Sequence, residues 1–138
     1  MWEARFIKLS KEIATWSKDP EEGVGALLVS TDRRSFSPGY NGFPKDVADE
    51  NWRLSDKEIK RSLTVHAELN AILNAKRDLT GWSLYITKAP CLDCALDIIQ
   101  AGITSVYFPC LDDKSSWFES CQNAISVLSE ARVMIKQY

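Results

Sequence analysis

Features that would mark a membrane or secreted protein are missing from this sequence. No segment approaches the roughly 18 consecutive apolar residues that a membrane-spanning helix needs. Charged residues occur throughout the N-terminal stretch MWEARFIKLSKEIATW, where a signal peptide requires an uninterrupted apolar block. The sequence therefore predicts no membrane partner and a cytoplasmic protein.

An excess of basic charge is missing as well. The 17 Lys and Arg residues are outnumbered by 19 Asp and Glu residues, which gives a net charge of −2. This balance offers no extended positive surface to a long polyanion, so we expect no nucleic-acid partner. A local basic cluster can still hold a single phosphate.

The small numbers of cysteine and histidine residues limit the kinds of disulfide and metal site that the chain can form. Four cysteines are too few for the disulfide framework of a small secreted protein, and His66 is the only histidine. Cys91 and Cys94 form a C-x-x-C pair, which in a reducing compartment is typical of metal or redox sites. Taken alone, this pair leaves metal binding, redox chemistry and a plain structural role open.

What is present suffices for one folded domain. Apolar residues make up 45% of the 138-residue chain and include five tryptophans, which is enough for an ordinary core. No internal repeat, low-complexity tract or linker divides the sequence. We therefore predict a single domain that spans residues 1–138.

Hydrophobic periodicity predicts an alternation of helices and strands. Residues 2–16 carry apolar side chains at helical spacing, GVGALLVS and RRSFSPGY can form a hairpin of two strands, and a polar loop follows from Asn41 to about Arg53. A helix is predicted from about His66. Strand, helix, strand, helix and strand then follow in WSLYITK, CLDCALDIIQA, SVYFPC, residues 117–128 and RVMIKQ, the last as an edge strand.

This order of elements predicts the fold class. Strand-helix-strand crossovers place successive strands side by side and parallel, with helices on the faces of the sheet. We expect an α/β fold of three layers, α/β/α, around a five-stranded mixed sheet that is mostly parallel after the first hairpin. The loop from Asn41 to Arg53 is a candidate wall of a functional site, because long ordered loops often carry function.

His66 and Glu68 give the cysteine pair a context. Cys91 and Cys94 lie three residues apart at the start of a predicted helix, whose N-terminus favours thiolates, so both sulfurs can hold one ion. In the middle of a helix, the side chains of His66 and Glu68 would point in nearly opposite directions. At the first residues of a helix, both side chains can reach one point beyond the N-terminus. A zinc ion held by one His and two Cys keeps a coordination position for water, whose pKa it lowers. Glu68 can then carry protons between the water and a substrate.

The joint motif is more specific than its parts. A lone histidine is more often a core or surface residue, and a glutamate in a first helical turn is often only a favourable charge. H-x-E with P-C-x-x-C, here HAE and PCLDC, is the signature of zinc-dependent nucleobase deaminases. With these residues the sequence resembles the deoxycytidylate (dCMP) deaminases, particularly the short phage members. The resemblance includes SKDP, VGALLV, GYNGFP, HAELNAIL and PCLDCALDIIQAGI, covers most of residues 17–104 and is loose beyond Val106.

The resemblance implies a cytidine-deaminase-like fold and hydrolysis of dCMP to dUMP and ammonia. It implies a catalytic zinc bound by His66, Cys91 and Cys94, with Glu68 as the proton carrier. Some members have a second zinc site with its own histidine, and because this chain has no histidine to spare we expect one zinc per subunit. A homohexamer is also implied, in the host cytoplasm if the chain is phage-encoded.

Nucleotide contacts outside the metal site are implied as well. In the family, the loop that matches GYNG lies beside the substrate sugar and the effector site. This implies substrate binding by Asn41 and Ala67 and effector binding by Tyr40, Asn41 and Gly42. dCTP is the expected activator, dTTP the expected inhibitor, and Mg²⁺ is expected to accompany the triphosphate. From its chemistry alone, Asn41-Gly42 is a turn signal.

The 5′-phosphate of such a substrate needs cations or backbone amides. The candidate cations are Lys18, Lys60, Arg61 and Lys114, each of which alone is more often a solvated surface charge. Lys114 is the preferred candidate because it follows a predicted strand, and the carboxyl ends of strands commonly face the site.

Other functions share parts of this motif. A tRNA adenosine deaminase also has H-A-E and P-C-x-x-C, but it binds a large polyanion, which the acidic composition and GYNG disfavour. Cytidine deaminases that act on free nucleosides usually have cysteine at the position of His66. A C-x-x-C redox protein or a structural zinc module leaves Glu68 and the open coordination position unexplained.

Overall fold

The computed structural model describes all 138 residues of the chain. Six helices and five strands follow one another as α1 (Trp2–Ala14), β1 (Gly25–Val29), β2 (Phe36–Tyr40), α2 (Asn51–Ser55), α3 (Lys57–Leu63), α4 (Ala67–Ala75), β3 (Ser83–Ile86), α5 (Leu92–Gln100), β4 (Ser105–Phe108), α6 (Phe118–Glu130) and β5 (Met134–Gln137). None of these helices combines the length and the apolar character needed to cross a bilayer.

The polar loop predicted from Asn41 to Arg53 is shorter than expected. Helix α2 begins at Asn51, and α3 follows after one residue, Asp56. The Asp56 side chain accepts hydrogen bonds from two backbone N–H groups in the first turn of α3, at 3.1 and 3.2 Å. This N-cap satisfies N–H groups that a helix start leaves without partners. The periodicity of such short helices is too brief to distinguish them from a loop in the sequence.

The five strands form one mixed sheet in the order β2-β1-β3-β4-β5. β1 pairs antiparallel with β2, as in the predicted hairpin, and also with β3, whereas the pairs β3-β4 and β4-β5 are parallel. The predicted α/β fold with a five-stranded mixed sheet is confirmed, and β5 lies at an edge as expected. Because β3 and β4 are parallel, their carboxyl ends at Ile86 and Phe108 lie at the same edge of the sheet.

Helices cover both faces of the sheet. Side chains of one face, such as Leu28, Leu84 and Val106, are fully buried in a core cluster shared with α4, α5 and α6. The alternate residues of the strands, such as Leu27 and Tyr85, pack with α1 on the opposite face. Full burial of a large aliphatic side chain contributes about 1.5–3 kcal/mol, so this packing holds the helices firmly on the sheet.

A glycine lets α4 lie close to β2. A Cβ atom at Gly39 would stand 2.3 Å from the backbone nitrogen of Ala71 and 2.4 Å from the carbonyl oxygen of Ala67. Both distances are far below van der Waals contact, so a larger residue at position 39 would push the helix away from the strand. The close approach therefore helps to fix the start of α4, where His66 is the N-cap.

Strand β2 forms the other edge of the sheet, and its backbone is partly occupied. Pro38, in the middle of β2, has no N–H group to donate. The side-chain amides of Asn74 and Asn70, one turn apart in α4, donate to the carbonyl oxygens of Pro38 at 3.2 Å and Tyr40 at 2.8 Å. Side chains of the same chain thus bind carbonyl groups of this edge strand.

Candidate active site

A cavity of about 610 Å³ opens where β3 and β4 end. Its wall includes residues 87–89, which follow β3, and residues 109–112, which follow β4. The starts of α4 and α5 contribute His66 and Cys91 to the same wall. The carboxyl ends of strands in α/β folds commonly face a ligand, and a cavity of this volume is large enough for a nucleotide.

His66, Cys91 and Cys94 lie together beside this cavity. The nitrogen and sulfur atoms through which they could bind a metal all lie within 4.8 Å of one another. Nδ1 of His66 is 3.1 Å from Sγ of Cys94 and 3.5 Å from Sγ of Cys91. Because His66 and Cys91 are the N-caps of α4 and α5, the two helix starts converge at one point.

This set of donor atoms fits zinc. One imidazole nitrogen and two cysteine sulfurs are ligands that zinc accepts readily. The site offers three protein donors. Catalytic zinc sites have three protein ligands and a water, whereas structural zinc sites have four protein ligands.

The two cysteines differ in acidity because they share a hydrogen bond. The hydrogen bond from Cys94 is the main cause that lowers the pKa of Cys91 to about 4, and the same bond raises the pKa of Cys94. The hydrogen bond with Cys91 in turn raises the pKa of His66. At neutral pH the pair of cysteines therefore carries negative charge, which attracts a metal cation.

Glu68, in the first turn of α4, is buried beside the three donors. Only 5% of its surface is exposed, and it lines the cavity. Burial is the main cause that raises the pKa of its carboxyl above the usual value of a glutamate. Its oxygens are not part of the three-residue donor group. A carboxyl with a raised pKa exchanges protons nearer to neutral pH than a surface glutamate, which suits a proton carrier.

Asn41 and Ala67, the predicted substrate contacts of the loop and helix, both line the cavity. The Asn41 side chain is already engaged: its Oδ1 accepts a hydrogen bond from the backbone N–H of Val24 at 2.8 Å. Its Nδ2 donates to the carbonyl oxygen of Glu22 at 3.0 Å. Asn41 thus tethers the segment before β1 to the end of β2, and a contact with a sugar would be additional to this tether.

Tyr40 and Gly42, the other predicted effector contacts, lie outside the cavity wall. Tyr40 is exposed, with its ring edge-on to that of Trp16 at 6.1 Å between centroids. Gly42 forms an isolated antiparallel bridge with Val65, with backbone hydrogen bonds of 3.1 and 2.8 Å. Gly42 has no positive φ. The turn that the chemistry of Asn41-Gly42 signals does not form, because Gly42 pairs with Val65, the residue before His66, instead.

The four predicted phosphate contacts divide into two groups. Lys60 and Arg61 line the cavity, whereas Lys18 and Lys114 do not. Lys18 pairs with Asp49 at 2.9 Å, and the preferred candidate, Lys114, is an exposed residue outside the cavity wall. The chain after β4 does reach the cavity, but through neighbours of Lys114.

Lys88 and Trp117 are among the side chains of the cavity wall that sequence reasoning misses. The periodicity places Trp117 in the buried stripe of the last helix. In the structure it is the N-cap of α6 and stands edge-on to the ring of His66, at 6.4 Å between centroids. Lys88 lies two residues beyond β3, with Nζ 5.1 Å from the centre of the Trp117 ring. The position after a strand, which favours Lys114 in the sequence, is a signal that Lys88 carries equally.

Residues 1–110 match the family model for the cytidine and deoxycytidylate deaminase zinc-binding region. The chain is 42% identical to an uncharacterized deaminase of Aliivibrio fischeri, over 97% of this chain and 91% of that protein. It is 39% identical to the human deoxycytidylate deaminase over 78% of this chain, and spans 64% of the human protein, less than two thirds of its length.

Solved structures share the fold. The dCMP deaminase of cyanophage S-TIM5, solved in complex with dCMP and dUMP, matches with a TM-score of 0.77 over 99% of this chain and 96% of that one, at 23% identity. The sequence matches, together with the family model, confirm the predicted resemblance to dCMP deaminases. The chain therefore belongs to the cytidine and deoxycytidylate deaminase family.

Proposed function

We propose that the chain is a hydrolase that converts dCMP to dUMP and ammonia. One observation carries the proposal: the only histidine, two of the four cysteines and a buried glutamate converge beside one cavity. Family membership supports the class of reaction. Relatives named deoxycytidylate deaminase, 40% and 39% identical in orangutan (Pongo abelii) and human, support dCMP as the substrate. We assign the activity to residues 1–138 as one domain in the cytoplasm.

In this proposal His66, Cys91 and Cys94 hold one zinc ion per chain. Zinc, when bound at such a site, lowers the pKa of a water molecule and so supplies the nucleophile for hydrolysis. Glu68 accepts the first proton that the water loses and passes it to the ring nitrogen of the base. It then takes the second proton from the hydroxyl group added to the base and gives it to the departing amino group as the C–N bond breaks. The oxygen of water thereby replaces the amino nitrogen, which leaves as ammonia. Burial of Glu68 favours these transfers because no bulk water surrounds the carboxyl.

The charges of the cavity wall favour a small nucleotide over an RNA. Four carboxylates besides Glu68 lie in the wall, those of Asp19, Glu21, Glu22 and Asp112. These carboxylates outnumber the three cationic side chains of the wall, so the opening offers no net positive surface to an extended polyanion, whereas a single phosphate needs only one or two local cations. We therefore propose a small-molecule substrate, with no nucleic-acid or membrane partner.

A comparison of substrates tests the proposed function. We expect the purified chain, with its zinc content measured, to release ammonia from dCMP with a higher kcat/KM than from CMP, dCTP or deoxycytidine. An adenosine-containing tRNA stem-loop is the fifth substrate and should release none. Preferential deamination of the stem-loop would establish the RNA alternative instead. If the zinc-loaded chain releases ammonia from none of the cytosine compounds, the proposal is contradicted.

We also propose that nucleoside triphosphates regulate a homohexamer of this chain. Tyr40 and Gly42 lie outside the cavity, but Asn41 between them is part of its wall. A ligand that binds Tyr40, Asn41 and Gly42 can therefore shift the position of a wall residue and change substrate affinity without touching the metal donors. dCTP with Mg²⁺ is the proposed activator, and dTTP the proposed inhibitor.

The regulatory proposal predicts opposed effects of two triphosphates on dCMP turnover. With Mg²⁺ present, dTTP should lower turnover at subsaturating dCMP by about 5- to 150-fold, the usual range of allosteric coupling, and dCTP should reverse the inhibition. Tyr40→Ala should blunt both responses, whereas Trp52→Ala, at another exposed aromatic residue, should keep them. Turnover indifferent to both triphosphates would reject the regulation and leave the deaminase proposal intact. Inhibition purely competitive with dCMP would place dTTP in the active site.

A further inference from the structure

Three cationic side chains line the cavity, and each is paired with a carboxylate. These cations are Lys60, Arg61 and Lys88. An anionic substrate group that binds one of these cations therefore competes with the carboxylate already beside it and can take its place. The three pairs differ in how easily that exchange can occur.

Lys60 is held too tightly to exchange its partners. Its ammonium group donates to Oδ1 of Asp19 at 2.7 Å and to Oε1 of Glu21 at 2.6 Å, and its side chain is only 4% exposed. Breaking either bond would remove part of the compensation of a buried charge, which is costly. Arg61 is at the other extreme, because its side chain is 63% exposed and its nearest contact, with Glu21, is 3.4 Å long. Solvent screens such a loose pair, so Arg61 is poorly positioned to select a ligand.

Lys88 combines a fixed position with a partner that can leave. Its Nζ lies 5.1 Å from the centre of the Trp117 ring, a cation-π contact, and 2.7 Å from Oε1 of Glu22. The Lys88 side chain is 27% exposed and that of Glu22 is 57% exposed. Glu22 can therefore turn into solvent at small cost while Trp117 keeps the ammonium in place.

The same tryptophan relates Lys88 to the metal donors. The ring of Trp117 stands edge-on to the imidazole of His66 and also lies against the ammonium of Lys88. One aromatic residue thus neighbours both a metal donor, beside which the base would react, and the exchangeable cation. A nucleotide likewise has a base at one end and a phosphate at the other.

We propose that Lys88 binds the 5′-phosphate of the substrate and that Glu22 is the carboxylate that this phosphate displaces. This inference rests on the proposed function, because it assigns the phosphate contact of that same site. A phosphate monoester carries about −1.5 to −2 charges at pH 7, against −1 for a carboxylate, so the exchange favours the phosphate. Lysine binds phosphate as a point charge and tolerates the change of partner. A free nucleoside cannot displace Glu22, so the pair discriminates nucleotides from nucleosides.

The test compares a nucleotide with its nucleoside in the full-length chain. Lys88→Met keeps the apolar stem over Trp117 but removes the charge, and should lower kcat/KM for dCMP by about 10- to 100-fold, mainly through KM. The kcat/KM for deoxycytidine should stay within about twofold. Lys88→Arg should restore most of the dCMP activity, and Glu22→Gln, which frees the ammonium, should lower KM for dCMP. Lys11→Met, at an exposed lysine whose Nζ lies 5.7 Å from the centre of the Tyr138 ring and outside the cavity, is the matched control and should change kcat/KM for neither substrate.

Binding of the product provides a second measurement that needs no turnover. In titration calorimetry, Lys88→Met should lower the affinity for dUMP by about 10- to 100-fold and leave the affinity for deoxyuridine unchanged. Equal losses for nucleotide and nucleoside, or an unchanged affinity for dUMP, would overturn the assignment of Lys88. If the wild-type chain binds dUMP but does not deaminate dCMP, the proposed function fails, while the binding comparison still decides whether Lys88 holds the phosphate.

Discussion

Glu68→Gln is expected to lower the turnover of dCMP by about 10²- to 10⁴-fold while zinc content and fold stay unchanged. Glutamine has the size and shape of glutamate, but its amide cannot accept and return a proton. Since Glu68 is outside the three-residue donor group, the substitution leaves the proposed zinc ligands untouched. Ammonia release, zinc content per chain and circular dichroism measure the three quantities separately.

The control for this substitution is Glu58→Gln. Glu58 is also an acidic residue in the first turn of a helix, α3, but it does not line the cavity. Both substitutions remove a charge that interacts favourably with a helix N-terminus, so the control shows how much of the effect is due to helix stability. Turnover near that of the wild type in Glu68→Gln would remove this residue from the mechanism.

Cys94→Ala and His66→Ala are expected to lose zinc as well as activity. Each leaves two protein donors, and two ligands seldom hold the ion tightly. We expect clearly less than one zinc per chain after dialysis, measured by mass spectrometry of the metal, and turnover at the background level. Loss of zinc distinguishes these variants from Glu68→Gln, which loses turnover alone.

Cys121→Ala is the matched control for the cysteine substitution. Cys121 is as buried as Cys94, each with 2% of its surface exposed, but its sulfur donates to the carbonyl oxygen of Ala89 and is not in the donor group. This variant should keep its zinc. One zinc per chain in Cys94→Ala or in His66→Ala would mean that the ligand set is misassigned.

The sequence contains the chemistry of the site in short, local patterns. The side chains of His66 and Glu68 can reach the same point only if a helix begins there, and α4 does begin at Ala67. Cys91 likewise stands as the N-cap of α5. Such starts can be predicted because the residues that mark them are neighbours in the chain. The alternation of strands and helices follows from hydrophobic periods of two and 3.6, which are also local.

Other features of the site depend on partners that are distant in the sequence. Lysine is rarely fully buried, so the sequence gives no reason to expect Lys60 inside a cluster of carboxylates. Its partner Asp19 lies 41 residues away. The turn chemistry of Asn41-Gly42 is overridden in the same way, because Gly42 pairs with Val65. Trp117 fits the helical period, but the helix begins one residue later and leaves its ring in the cavity wall.

The occupied backbone of β2 limits how copies of this chain can associate. A second β-strand could join this edge only by giving up the bonds that Asn70 and Asn74 make, and at Pro38 it would find no N–H group at all. No continuous sheet can therefore run from one subunit of the proposed hexamer to the next across β2, so this edge contributes no strand pairing between subunits. The same edge is a poor template for amyloid-like stacking, which protects newly made chains before they have found their partners.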